Sequence, residues 1–337
     1  MTEAVRNGRS KTRRKWIYQP DLAQQMAPFY HWPPQPGKTL RYIAESWGPF
    51  SVRIYLLGLS VFTWLWFSPA LERCREFAFD WIAQIWLRNF LLMLVIAGGL
   101  HLYFYTFRKQ GETSKFDPRD MMRNSKQFFF NDQVKDNMFW TLTSAVGFWS
   151  AYEVLMMWAY ANGFAPLMAF GDNPAWFIFL LFITPWLAGL HFYCQHRLLH
   201  SRLLYKYVHA WHHKNSNTGP WSGPAMHPVE HSIWLTDVFL FLFVASHPIH
   251  VIFILQFHTL AAVTSHTGYE DLHLGSRARF RLGDFFHQLH HRYCDCNYGT
   301  FETPWDQWLD TYHDGTAQGD EWMKNRRRQL YQLKTGA

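Results

Sequence analysis

AWFIFLLFITPWLAGLHFYCQHRLLH, Ala175 to His200, joins an apolar run to a pair of histidines four residues apart. A helix rises 1.5 Å per residue, so roughly 20 apolar residues cross the hydrocarbon core of a bilayer. Ala175 to Gln195 meets that length, and His196 follows directly at its end. Positions i, i+3 and i+4 share a helix face, so His196 and His200 project together from the edge of an apolar helix. The chain reads outward from here as long apolar helices that carry a polar, histidine-rich region.

Three further segments have the length of a crossing: Val52 to Leu71, Leu87 to Phe107 and Met138 to Tyr160. A fifth apolar stretch, Ile233 to Val263, is interrupted by His247, Pro248, His250 and His258, and reads as a re-entrant helical hairpin. Aromatic residues make up 19% of the 337 residues, which suits lipid-facing surfaces with interfacial belts. Mean hydropathy is only -0.21, so a sizeable aqueous part must accompany the spans. The expected fold is an all-α integral membrane protein of about four transmembrane helices plus the hairpin, with a cytosolic histidine-rich helical cap. Its divisions are a basic N-terminal segment 1–50, spans over 51–195 with a cytosolic loop 108–137, a histidine-rich region 196–311 that includes hairpin 233–263, and a basic tail 312–337.

Loop charge gives the orientation, because cytosolic loops near spans are rich in Lys and Arg. Arg108, Lys109, Lys115, Arg119, Arg123, Lys126 and Lys135 follow the second span, whereas Asn162 to Pro174 holds neither residue type. The first loop, both termini and the region after Gln195 are therefore expected on the cytosolic side of a bacterial inner membrane or the endoplasmic reticulum. Arg6, Arg9, Lys11, Arg13, Arg14 and Lys15 fit that side, as do Lys324, Arg326, Arg327 and Arg328. Met1 to Lys15 is the one candidate for disorder, and the first 50 residues lack the apolar core and small-residue site of a cleavable signal peptide. The net charge of +7 points to anionic lipid headgroups and not to nucleic acid, since the basic residues flank spans and form no groove-reading motif. Cys74, Cys194, Cys294 and Cys296 are too few and scattered for a disulfide framework, and the one-residue spacer of Cys294 and Cys296 is not a usual ligand spacing. They read as ordinary thiols.

Of the 19 histidines, 16 lie between His191 and His291. Three clusters stand out: His196 and His200; His209, His212 and His213; His287, His290 and His291. Imidazole suits iron, zinc, copper or nickel. The clusters supply eight candidate ligands, and His227, in HPVE, and His266, in HTGYE, bring the set to ten. Ten histidines suffice for two metal ions with four or five ligands each. Metal held at a membrane boundary suits oxidation of a lipid that approaches from the bilayer while electrons arrive from water.

The order HRxxH, HxxHH, HPxE, HxGYE, HxxHH, NYG, WD resembles the fatty acid hydroxylase and sterol desaturase superfamily of membrane non-haem diiron enzymes. The matching pieces are His196 to His200, His209 to His213, His227 to Glu230, His266 to Glu270, His287 to His291, Asn297 to Gly299, and Trp305-Asp306. The HPVE and HTGYE pieces and Trp305 to Thr311 look most like the C4-methyl sterol oxidase branch. The resemblance implies two iron ions held by the ten histidines and O2 as co-substrate. It also implies hydroxylation or desaturation at an unactivated C–H bond of a membrane lipid, sterol-like or acyl. Electrons would come from an external donor of the cytochrome b5 or ferredoxin kind, since the chain shows no haem motif, dinucleotide fingerprint or Cys-rich cluster. In place of an acidic residue that the family often carries seven positions before the first histidine stands Gly189, with His191 two positions later.

The remaining candidates carry plainer readings beside the sharper ones. His191 either supplies a substitute partner behind the ligating rings or leaves that outer contact missing; His231, His247, His250, His258 and His273 either hydrogen-bond a carbonyl, line a substrate passage or ligate metal directly, with His273 the foremost candidate for a further ligand. His31, His101 and His313 read as incidental. Trp176, Phe177, Phe179, Phe182 and Trp186 read as lipid-facing packing, Tyr298 and Trp305 as support beneath the third cluster, Asp284 as the N-cap of its helix, and Asp306 as a contact behind the ligating rings or within the fold, ahead of a catalytic base. Two alternatives stay open: a fatty-acyl or polar acyl-lipid hydroxylase, and a non-catalytic metal-binding or metal-transport membrane protein. Transport would want ligands strung along the spans.

Overall fold

The computed structural model describes residues 16–275 and 278–335, and helices dominate it. The basic run Arg6 to Lys15 falls outside the described residues. Helix α1 (Pro36–Ser46) precedes α2 (Val52–Phe67), whose first turn is capped by Ser51 accepting from the Arg53 N–H. Helix α3 (Phe79–His101) continues through a π turn, Leu102–Thr106. Asp132 caps α4 (Gln133–Trp140), which passes through a second π turn, Thr141–Ala145, into α5 (Val146–Ala161). Asn173 and Pro174 open α6 (Pro174–Leu199), the helix read first in the sequence. A short α7 (Arg202–Leu204), a third π turn (Tyr205–His209) and α8 (Ala210–His213) carry the second histidine cluster.

Among the described residues three helices are long and apolar enough to cross a membrane, by length and composition: Phe79–Thr106, Pro174–Leu199 and Pro248–Ser265; Val52–Phe67 is apolar but shorter. The segment Met138 to Tyr160 is helical as expected but is not among the three. Its largely apolar inner face carries a buried charge: Arg88 of α3 donates to Glu153 of α5 at 2.5 Å, with Asn89 Nδ2 at 3.1 Å from the same carboxylate, and all three side chains are buried. This helix packs into the bundle through a buried ion pair as well as apolar contacts.

The apolar stretch 233–263 departs from a hairpin of two short helices. After α9 (Pro228–Trp234) comes a 3-10 turn, Thr236–Leu242, and then a continuous helix, α10 (Pro248–Ser265), started by Pro248 and capped by His247. Apolar residues on every side of α10 make it a buried helix, and it packs against α2, α3, α5 and α6. Gln256 fixes the contact with α2, accepting from Ser60 at 2.8 Å and donating to Thr63 at 2.9 Å. The chain is not wholly helical either. Strands β1 (Asp271–Leu274) and β2 (Ala278–Arg281) pair antiparallel with Asp271 opposite Arg281, leaving β1 through Gly275 at a φ of +68° that glycine adopts without strain. Helices α11 (Phe285–Tyr293), α12 (Trp305–Trp308) and α13 (Ala317–Thr335) complete the polar end.

Candidate metal centre

Nine of the ten candidate ligands converge. His196, His200, His209, His213 and His290 form one group, and His212, His266, His287 and His291 form another, the donor atoms of each lying within 4.8 Å of one another. Helical spacing explains the division. Residues four apart point the same way, so the pairs 196/200 and 209/213 enter the first group and the pair 287/291 the second. The third member of each triple crosses over: His212 serves the second group and His290 the first. The groups abut, with the His213 and His291 ring centroids 5.1 Å apart and those of His209 and His212 5.5 Å apart.

Outer contacts fix which nitrogen each ring turns inward. His196 Nδ1 donates to the Tyr298 carbonyl at 2.7 Å, His290 Nδ1 to the Cys296 carbonyl at 2.6 Å, and His266 Nδ1 to the Ala262 carbonyl at 2.9 Å. With the proton spent there, Nε2 presents a lone pair. His196 Nε2 lies 3.0 Å from His209 Nε2, and His266 Nε2 lies 3.0 Å from His291 Nε2. His213 Nε2 has the Nε2 atoms of His200, His209 and His290 at 3.2, 3.1 and 3.0 Å, and His290, its proton on Nδ1, brings only a lone pair. Lone pairs so gathered repel unless a cation lies among them, so the donor set fits metal.

Burial also keeps these rings neutral. It holds His209, His213, His287, His290 and His291 well below the ordinary histidine range, and the neighbouring imidazoles push them further. His212 is lowered to about 4 by burial, against the Ala225 carbonyl that works the other way. Neutral imidazole is the form that binds metal.

The residues around the candidate ligands come from the quoted motif pieces. Glu230 Oε1 lies 2.8 Å from His209 Nδ1, both side chains buried. Burial pushes the Glu230 carboxyl well above the usual carboxylate range; a cation on the far side of His209 would favour its ionised form, accepting from Nδ1–H. Asp306 accepts from the N–H groups of Tyr298 and Gly299 at 2.9 and 2.7 Å and from the Thr311 hydroxyl at 2.6 Å. It therefore fixes the carbonyl that orients His196. Asp284 caps α11, accepting from the His287 N–H at 3.1 Å. Gly189 faces the same loop. A Cβ there would meet Thr300 Oγ1 at 3.2 Å and Thr303 Cγ2 at 3.3 Å, so the missing acid leaves room for the loop to close on α6.

His227 is not brought in. Its Nδ1 accepts from the Val229 N–H at 3.1 Å as the cap of α9, and its ring packs on Trp211. His273, on β1, approaches Ser114 at 3.3 Å instead of the metal groups. His231 is held between Ser144 and the Pro224 carbonyl, each at 2.9 Å. His247 and His250 cap α10, and His250 Nε2 donates to the Phe177 carbonyl at 3.0 Å.

A cavity of about 1120 Å³ opens against the centre. His196, His209, His212, His266 and His287 line it together with the apolar Ala188, Phe192, Trp234 and Phe257 and with charged residues that include Arg53, Glu270, Asp284 and Glu302. Its volume exceeds a small-molecule pocket and suits a lipid.

The model of the fatty acid hydroxylase family matches residues 179–311, which contain all ten candidate histidines. Over these residues the chain is similar to the fatty acid hydroxylase family, and its relatives are sterol desaturases and oxidases. A Delta(7)-sterol-C5(6)-desaturase of Nicotiana tabacum is 24% identical over 234 residues, 67% of this chain and 81% of the relative. Lathosterol oxidase of Rattus norvegicus is 28% identical over 225 residues, 64% of this chain and 72% of the relative. Methylsterol monooxygenase 1 of Danio rerio is 34% identical over 141 residues, 38% of this chain and 47% of the relative. No solved structure matches the chain. Within the superfamily the relatives thus include both C5(6)-desaturases and a methylsterol oxidase. These similarities, with the apolar helices found among the described residues, support a membrane oxidoreductase of lipid metabolism.

Proposed function

We propose that this protein oxidises an unactivated C–H bond of a membrane sterol or sterol-like lipid, using O2 and two iron ions held by nine histidines. The observation that carries the reading is the pair of abutting imidazole groups, of five and four residues, both of which line a lipid-sized cavity. Relatives that act on sterols favour this substrate over an acyl chain. The first group would take one ion and the second group the other. Bound iron would supply the electrons and the open position at which O2 is reduced.

The chain's own residues do the rest. Glu230, the Tyr298 and Cys296 carbonyls and Asp306 hold the rings in the tautomer that points Nε2 inward. Phe192, Trp234 and Phe257 exclude water and keep the reacting carbon beside the ligands. In hydroxylation the C–H bond becomes C–OH and the second oxygen atom leaves as water, which consumes two electrons and two protons. In desaturation two hydrogens leave the lipid and both oxygen atoms become water, with the same external demand. A separate carrier of the cytochrome b5 or ferredoxin kind supplies those electrons. Arg197, Arg202 and Lys206, exposed near His200, offer an acidic carrier a basic surface on what this reading makes the cytosolic side. Expression in a sterol-producing cell, with lipids read by mass spectrometry, tests the proposal. A product heavier by one oxygen or lighter by two hydrogens, dependent on O2 and lost in His290→Ala, supports it; no such product from sterols overturns it.

A further inference from the structure

Beside the paired groups stands a third constellation that none of their chemistry uses. His191 on α6, Asp237 on the 3-10 turn and His258 on α10 bring their donor atoms within 4.8 Å of one another. Asp237 is the single acid in the apolar stretch 233–263 and is 4% exposed. Its Oδ2 lies 2.6 Å from His258 Nε2 and 4.0 Å from His191 Nδ1, and among the described residues these two histidines are its ion-pair partners.

The hydrogen bonds leave a deficit of positive charge. The Thr236 hydroxyl donates to the Ile233 carbonyl at 2.8 Å, so its oxygen accepts from His191 Nε2–H at 3.0 Å. A neutral His191 then turns the lone pair of Nδ1 toward the Asp237 carboxylate. Both His191 Nδ1 and Asp237 Oδ1 are buried without a hydrogen-bond partner. Two acceptors facing each other in a buried place are costly. Two imidazoles and one carboxylate are, equally, a donor set for a borderline divalent ion.

We infer that His191, Asp237 and His258 form a separate binding site for one divalent cation of the zinc or ferrous class, which ties α6 and α10 to the turn between α9 and α10. The site lies on the wall of the lipid cavity, because His258 lines it, and cavity water can complete the coordination. It binds α6, which carries His196 and His200, to α10, whose C-terminus carries His266. The cation is thus structural, holding the two helices that deliver ligands to both groups.

The test counts metal. Full-length protein in detergent, stripped, reloaded with Zn2+ and desalted, should hold three zinc ions per chain, and Asp237→Asn should hold one fewer. His191→Gln, at a partly exposed position, should also lose one, and two retained ions in either variant show that the rest of the protein has folded. His290→Ala separates this site from the function proposed above, since it should lower the paired-group count while leaving the ion that Asp237→Asn removes. Equal zinc in wild type, Asp237→Asn and His191→Gln overturns the inference and leaves a His258 to Asp237 ion pair.

Discussion

Removing the carboxylate behind His209 should weaken one metal group and spare the other. Glu230 and His209 are both about 2% exposed at the side chain and 2.8 Å apart. A hydrogen bond to a charged group contributes roughly 1.5–3 kcal/mol, against roughly 0.5–1.5 kcal/mol for a neutral one. Glu230→Gln keeps shape and an acceptor but loses the charge, a difference of about 1.4 kcal/mol, or about tenfold in affinity. Glu230→Ala also strands the Nδ1–H of His209 in a buried place, which should bring the loss toward about 100-fold, the upper end for partners that orient a ligating imidazole. The assay titrates stripped protein with Fe2+ under anaerobic conditions against a competing chelator. Wild type should bind both paired ions more tightly than Glu230→Gln binds its weaker one, and Glu230→Ala should bind that ion weakest of all. Affinity within twofold of wild type in both variants would refute the reasoning, because His209 would then need no outer partner.

His227→Ala should leave the metal count of the paired groups unchanged by elemental analysis and cost about 1 kcal/mol of thermal stability from the lost cap of α9. Asp306→Ala removes the acceptor of three hydrogen bonds around Tyr298; by the outer-contact range it should cost 10- to 100-fold in iron affinity, read by the same chelator competition. Glu153→Leu should destabilise the bundle by about 3 kcal/mol or more in thermal unfolding, because Arg88 is left buried and unpaired, and Arg88→Met in the same chain should recover most of it. Burial raises the Glu270 carboxyl to about 8. A raised carboxyl stabilises the fold while protonated, fully so below the unfolded value near 4.5, and the benefit fades as pH climbs through about 8. Glu270→Gln should therefore flatten the fall in stability between those pH values, as seen in thermal melts.

The convergence of these histidines is legible because helix geometry is written in the spacing of His196/His200, His209/His213 and His287/His291. The sorting into groups is not, since only the fold shows that His212 and His290 cross to the opposite side. His227 misled because a histidine before Pro228 can cap a helix as readily as bind metal. Glu230 stood in the quoted HPVE piece without a role; its place three residues after the cap puts it in the first turn of α9, from which it reaches His209. Apolar length identified α3 and α6, but α10 looked broken because His247 and Pro248 mark a helix start there and His250 and His258 are buried with partners of their own. The short pairing of β1 with β2 depends on the backbone around Gly275 and Gly283, where a Cβ at Gly283 would meet the Tyr269 carbonyl, a contact no periodicity announces. Asp237 carried a usable signal that went unread: one acid in a long apolar stretch must find a partner.

The most direct test of the account is the iron content of anaerobically reconstituted protein alongside His213→Ala, from the first group, and His291→Ala, from the second. Wild type should hold about two irons per chain in the paired groups, judged by imidazole ligand supply, and each variant should lose iron and O2-dependent lipid product together. Iron bound as in wild type by either variant, or product formation that survives loss of the metal, would contradict it.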